Sequence, residues 1–319
     1  MKKVCALLVL LALMVSSAWA QWFREPKLTM EEHEAIVARM LAGDTAGLHR
    51  LRSERYAPPL PKEVDTLDFQ VEGTRPRMRF YFPKDHEERL PLVVMMHGGG
   101  WATGCLEGCE DLVVRLVTEG ACGVLSVDYG LAPERQFPFP INDCLEALDF
   151  AYRQADLLRV DTMRISLCGE GAGGNLALAA SLRTDHSLRG LMLIAPVVRG
   201  YADGSVSWRR YAKGFGLDAS LMELYFESYV PDESLARDPW VSVDEASDEQ
   251  LSRLPRTLLL AAEYDVVKDQ GEALARRLEG LGTGVLYRLM NGTRHGFLHK
   301  DEYRYEQDQA VDLLLEWAR

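Results

Sequence analysis

Four stretches of this sequence carry residue types that could do chemistry. His295 follows an apolar run, in Asn291-Gly292-Thr293-Arg294-His295-Gly296-Phe297, and Asp265 follows another, in Ala261-Ala262-Glu263-Tyr264-Asp265. A histidine oriented by a carboxylate is a general base. Upstream, Gly169-Glu170-Gly171-Ala172-Gly173-Gly174 lies between the apolar Ile165–Cys168 and the helix-like Asn175–Ala180. Strand, tight glycine turn and helix form the context of a nucleophile elbow, G-x-S-x-G, which lifts one side chain above a sheet. Both glycines of that pattern are present, as Gly169 and Gly173, but the serine position holds Gly171. Earlier still, His97-Gly98-Gly99-Gly100 follows the run Leu92–Met96. Successive glycines let backbone N–H groups turn toward one point, which is how an oxyanion hole is built. The set reads as acyl-transfer machinery without its attacking oxygen.

These groups need a rigid frame, and the apolar pattern supplies one. Val64–Val71 and Arg77–Phe82 alternate polar and apolar residues and predict an antiparallel hairpin at a sheet edge. Continuous apolar runs at 92–96, 123–129, 165–168, 191–196, 257–262 and 285–289 predict buried parallel strands. Helical patterns at 111–118, 141–155, 270–281 and 306–318 alternate with them. The predicted fold class is therefore α/β, a doubly wound, mostly parallel sheet. Ligands bind such sheets at the carboxyl ends of the strands, where the loops 97–101, 169–174, 263–269 and 291–297 fall. Residues from about 198 to 250 break the rhythm and are rich in aromatics, among them Tyr201, Trp208, Tyr211, Phe215, Tyr225 and Trp240. They predict an inserted cap over the sheet. Residues 21–60 are helical in pattern and predict a second cap element, which leaves 61–319 as the main domain.

Length and composition agree with this reading. The chain's 319 residues, 47% of them hydrophobic, suffice for one large domain with a sizeable core. A net charge of −12 argues against nucleic acid or an anionic membrane surface as partner. Lys2 and Lys3, the apolar run Val4–Val15 and the A-x-A ending at Ala20 predict a signal peptide cleaved after Ala20, hence an exported protein. Of the remaining cysteines, Cys105 and Cys109 are the best candidates for a disulfide, against the alternative that most of the five are small buried hydrophobes. No cysteine has a histidine at zinc-ligand spacing, so neither a metal nor another cofactor is expected.

With the residues laid out, the order elbow, acid, histidine is that of the α/β-hydrolases. The sequence resembles their hormone-sensitive-lipase group, which includes bacterial carboxylesterases and acetyl esterases. The resemblance rests on His97-Gly98-Gly99-Gly100-Trp101, Asp128-Tyr129-Gly130-Leu131-Ala132-Pro133-Glu134 with Phe137-Pro138, and Gly169 to Asn175. Asp238-Pro239, Ala262 to Asp265 with Asp269 and Gly271, and His295-Gly296-Phe297 extend it across about residues 65 to 300. It implies an ester-hydrolysing triad of residue 171, Asp265 and His295 under a cap, with oxyanion donors from Gly99, Gly100 and Ala172, acting on short or medium acyl esters. Two residues depart from the group: Gly130 replaces its usual arginine, and Gly171 replaces its nucleophilic serine. Cys168 lies within the strand and cannot stand in, and Glu170 sits where the group has Asp or Glu, beside the nucleophile. The expectation is an esterase frame that is inactive or very weak as written. The alternatives are a non-catalytic ligand-binding protein on the same fold, as the plant gibberellin receptors are, and slow hydrolysis by a water that His295 activates.

Overall fold

The computed structural model describes residues 28–52, 59–70 and 76–318, so the expected signal segment at 1–20 and Cys5 lie outside it. Helix α1 (Met30–Leu41) starts at a capping box: the Thr29 hydroxyl accepts from the Glu32 N–H at 3.2 Å, and the Thr29 N–H donates to the Glu32 carboxylate at 2.8 Å. The short α2 (Leu48–Arg52) follows. The hairpin β1 (Val64–Gln70) and β2 (Arg77–Pro83) pairs antiparallel, as its alternating pattern requires. Then come β3 (Leu90–Met96), α3 (Glu110–Gly120), β4 (Gly123–Asp128), α4 (Phe139–Arg153), the single-turn α5 (Ala155–Leu158), β5 (Val160–Glu170) and α6 (Ala172–Arg183). Next are β6 (Gly190–Ile194), α7 (Val206–Arg210), α8 (Ala219–Tyr229), α9 (Asp248–Leu251), β7 (Thr257–Tyr264), α10 (Lys268–Gly280), β8 (Val285–Arg294) and α11 (Arg304–Ala318).

The eight strands lie in the order β1-β2-β4-β3-β5-β6-β7-β8, with β3 through β8 parallel and the hairpin antiparallel at one edge. Alternate residues of each strand face opposite sides, and the core divides accordingly. Leu92, Val94 and Met96 of β3 pack with Ile141 and Leu148 of α4, Leu176 of α6 and Leu274 of α10. Val93 and Met95 face the other way and pack with Val113 and Leu116 of α3 and Leu314 of α11. Burial on both faces is what makes these strands continuous apolar runs.

Three expectations need correction. Strand β5 is not the short run 165–168 but extends from Val160, where Leu90 pairs with it, to Glu170, so Gly169 and Glu170 belong to the strand and not to a loop. Likewise β8 continues through Asn291-Gly292-Thr293-Arg294, expected as loop, because Tyr264 of β7 pairs with Arg294 beyond a bulge. Polar residues at these strand ends hid the backbone pairing that fixes them. Finally, Cys105 and Cys109 are not joined in a disulfide. Cys109 is buried at the end of a 3₁₀ turn, its sulfur within 4.8 Å of donor atoms of Glu170 and His299.

The segment between β6 and β7 is helical, and α1 packs against its α8. Tyr225 of α8 and His33 of α1 share a short hydrogen bond between the Tyr225 hydroxyl and His33 Nε2, and the Ser220 hydroxyl donates to Glu34 at 2.7 Å. Burial pushes the pKa of His33 down, so the neutral imidazole is favoured in that contact.

Candidate active site

Gly171 sits between the last residue of β5 and the first of α6, with φ 53° and ψ −115°. Its backbone is fully engaged: the N–H donates to Ile194 O at 2.9 Å, and the C=O accepts from Asn175 N and Val197 N at 3.1 Å each. A positive φ costs a residue with a side chain about 1–3 kcal/mol, and glycine avoids that cost. A Cβ built at Gly171 would meet only the His295 ring, Nε2 at 3.2 Å and Cε1 at 3.6 Å. At Gly173 a Cβ would instead run into the backbone carbonyls of Met96 and His97. Helix α6 can approach the end of β3 only because residue 173 has no side chain.

His295 follows the last residue of β8. Its Nδ1 lies 2.7 Å from Asp265 Oδ2, and Asp265, 1% exposed, also accepts from Val267 N at 3.1 Å. A carboxylate against Nδ1 assigns the proton to that nitrogen and leaves the Nε2 lone pair facing Gly171. Burial alone would lower the His295 pKa. The charge and hydrogen bond of Asp265, with help from Glu170, outweigh burial and raise it above the ordinary histidine value.

The glycine loop leaves β3 at Met96. Gly99 and Gly100 have φ of 124° and 59°, and Trp101, a non-glycine, has φ 58°. The Gly99 carbonyl accepts from Ala102 N at 3.2 Å, Thr103 N at 2.9 Å and the Thr103 hydroxyl at 2.8 Å. In a trans peptide the C=O and N–H point oppositely, so holding this carbonyl inside the loop turns the Gly100 N–H outward. Trp101 is fully buried and stacks on Tyr229 of α8, centroids 4.7 Å apart and planes within 2°. Tyr225 of the same helix fills the space beside Gly100. The loop is thus pressed between the sheet and α8.

The Asp128–Glu134 stretch braces the same loop. Tyr129 stacks on His97 at 4.3 Å and donates its hydroxyl to His97 O at 2.7 Å. Ala132 N donates to Trp101 O at 2.8 Å. Arg52 of α2 donates to Ala102 O, Ala132 O and the Glu134 carboxylate. Gly130 makes room: a side chain there would meet Arg135, whose guanidinium bonds Asp143 at 3.1 Å. Asn175 in α6 donates to Val197 O and Val241 O, tying the elbow helix to the inserted segment.

The structure therefore brings Gly171, Asp265 and His295 together, with Ala172 opening α6 beside them and the Gly99-Gly100 turn standing at the end of β3. Tyr264, Phe215 and Tyr211 form an aromatic group next to Asp265 in sequence and space. Sequence reasoning missed Arg52, whose neighbours carry no pattern pointing to 102 or 132. It also missed the pairing of Glu170 with His299, which joins residues far apart in the chain.

The frame so described is that of a hydrolase of the α/β type. Residues 93–299 match the family described as alpha/beta hydrolase fold. Arylesterase of Saccharolobus solfataricus is 37% identical over 254 residues, covering 77% of this chain and 82% of its own length. Ethyl acetate hydrolase of Pseudomonas putida is 31% identical over 249 residues, covering 75% and 76%. The solved esterase of Pyrobaculum calidifontis superposes with a TM-score of 0.77 at 29% identity, over 93% of this chain and 96% of that one. The chain belongs to the α/β-hydrolases, in the carboxylesterase-type, hormone-sensitive-lipase group.

Proposed function

We propose that this chain is a carboxylic-ester hydrolase frame for short or medium acyl esters that lacks only its attacking oxygen. The observation that carries the reading is the position of His295 Nε2, 3.2 Å from where a Cβ on Gly171 would stand. That is the place for a base that deprotonates a hydroxyl one bond further on. With serine at 171, His295 would take the Oγ proton as the oxygen attacks the ester carbonyl. Asp265 would hold the imidazolium, and the Gly99, Gly100 and Ala172 N–H groups would receive the oxyanion. His295 would then return the proton to the leaving alcohol. With glycine no acyl-enzyme forms, and turnover is limited to a water activated by His295, about 10³–10⁴-fold over the uncatalysed rate at best.

The substrate class is supported by the names of the relatives above and by the aromatic helices over the strand ends. α1 and the 198–250 segment act as the cap, narrowing the site to modest acyl and alcohol groups. The test is hydrolysis of p-nitrophenyl acetate and butyrate by the chain as it stands and by Gly171→Ser. Turnover by the serine form alone, silenced by His295→Ala, is the expected result. Silence of both forms would leave the second reading, which Gly171 itself favours: a protein that binds a small apolar ligand without converting it. Detection of a retained ligand by mass spectrometry would then decide for that reading.

A further inference from the structure

Outside the triad, three potential ligand atoms meet on one point. Cys109 Sγ, a Glu170 carboxylate oxygen and a His299 ring nitrogen all lie within 4.8 Å of one another. His299 Nε2 and Glu170 Oε2 are 2.5 Å apart. The residues come from three separate elements: Cys109 from the turn that continues the glycine loop, Glu170 from the last position of β5, His299 from the turn after His295. No sequence spacing could announce such a group, because the fold alone brings its members together.

We propose that Cys109, Glu170 and His299 bind a divalent transition-metal ion, with Zn²⁺ the best match. Sulfur, imidazole nitrogen and carboxylate oxygen are the donor set zinc prefers. A thiolate, a carboxylate and a neutral imidazole together carry the charge that a dication neutralises. In a tetrahedral shell with Zn–N and Zn–O of about 2.0 Å and Zn–S of about 2.3 Å, donors stand roughly 3.3–3.6 Å apart. The present spacing, from 2.5 Å to at most 4.8 Å, brackets that value. On binding, the Cys109 thiol gives up its proton to solvent, the ion displaces the proton that lies between Glu170 and His299, and the nitrogen and oxygen part by under about 1 Å to admit it. Cys109 and Glu170 are 2% and 5% exposed, so burial holds them in place, while the partly exposed His299 side chain gives the ion its way in. Three protein ligands leave a fourth position for water. The bound ion clamps together the loops that carry the oxyanion glycines, the elbow and His295.

The experiment uses the full chain with Zn²⁺ and with Co²⁺ as a spectroscopic substitute. One equivalent of Zn²⁺ is expected to survive gel filtration and to raise the unfolding midpoint, since binding to the folded state alone stabilises it. Co²⁺ is expected to give tetrahedral d–d bands together with a sulfur-to-cobalt charge-transfer band. Cys109→Ser should lose the charge-transfer band, and His299→Ala should weaken binding by more than about tenfold, beyond what loss of a merely supporting group costs at the low end. Failure of the unaltered chain to retain Zn²⁺ overturns the proposal. So does binding whose spectrum and strength are unchanged in both variants, which puts the ion elsewhere.

Discussion

Two histidine–carboxylate pairs flank one turn, and they present their nitrogens differently. In Asp265–His295 the carboxylate holds Nδ1, and Nε2 faces the empty side of Gly171. In Glu170–His299 the carboxylate meets Nε2 itself, with Cys109 sulfur alongside. The first pair is oriented to take a proton from a third atom, as a base in a triad is. The second has its nitrogen engaged by the carboxylate. Histidine beside carboxylate is therefore no sufficient sign of a catalytic base. The nitrogen left over, and what stands before it, decide the chemistry.

The largest effects are expected in a Gly171→Ser background. There His295→Ala should lower kcat for p-nitrophenyl butyrate by about 10⁴-fold or more, and Asp265→Asn by about 10⁴-fold. Loss of less than tenfold in either would contradict the assigned roles. The two glycines of the elbow should separate next, in chemical denaturation. Gly173→Ala forces a methyl group into the carbonyls of Met96 and His97 and should cost about 3 kcal/mol, at the upper end for overpacking. Gly171→Ser meets only the edge of one ring and should cost about 1 kcal/mol, mostly from its positive φ. Equal costs would mean that the elbow does not distinguish its packing glycine from its nucleophile position.

A pH dependence follows from the Asp265–His295 pair. The base form of His295 is the neutral one, present above its pKa, and Asp265 raises that pKa despite burial. The acid limb of kcat/KM for Gly171→Ser should therefore lie above 6.5, the ordinary histidine value, activity rising as pH rises through it. With Asp265→Asn the larger raising charge is gone, only that of Glu170 is left against burial, and the limb should move down. A limb that stays put would show that Asp265 does not set the protonation of His295. The smallest effect belongs to Tyr225→Phe. It removes the hydroxyl that meets His33 and should lower stability by about 1 kcal/mol, read from the denaturation midpoint.

Much of this was legible in the sequence, for identifiable reasons. Buried parallel strands must be apolar on both faces, so Leu92–Met96, Leu191–Ile194 and Thr257–Ala262 declare themselves. Gly171, Asp265 and His295 stand at or just beyond strand ends, and the parallel sheet that puts those ends on one side follows from alternating strands and helices. The ends of β5 and β8 were not legible: Gly169 and Glu170 pair through their backbones with β6, and β8 runs on past Met290 to pair with β7 again at Arg294, while the side chains there carry no strand pattern. The hold of α8 on the glycine loop was also hidden: Trp101 and Tyr229 are simply two aromatics until the fold stacks them. The same holds for Cys109, Glu170 and His299, which share no local spacing.

If one side chain separates this chain from a working esterase, covalent capture of residue 171 will reveal it. A fluorophosphonate reacts with a serine only where base, orienting acid and oxyanion donors are all in place. After exposure to the reagent, intact-mass measurement should find Gly171→Ser carrying one phosphonyl group per chain, mapped to residue 171, and the glycine form carrying none. An unlabelled Gly171→Ser protein that still folds would contradict the claim, because the surrounding machinery would then be incomplete. Labelling of the glycine form would contradict it from the other side, by locating a nucleophile elsewhere.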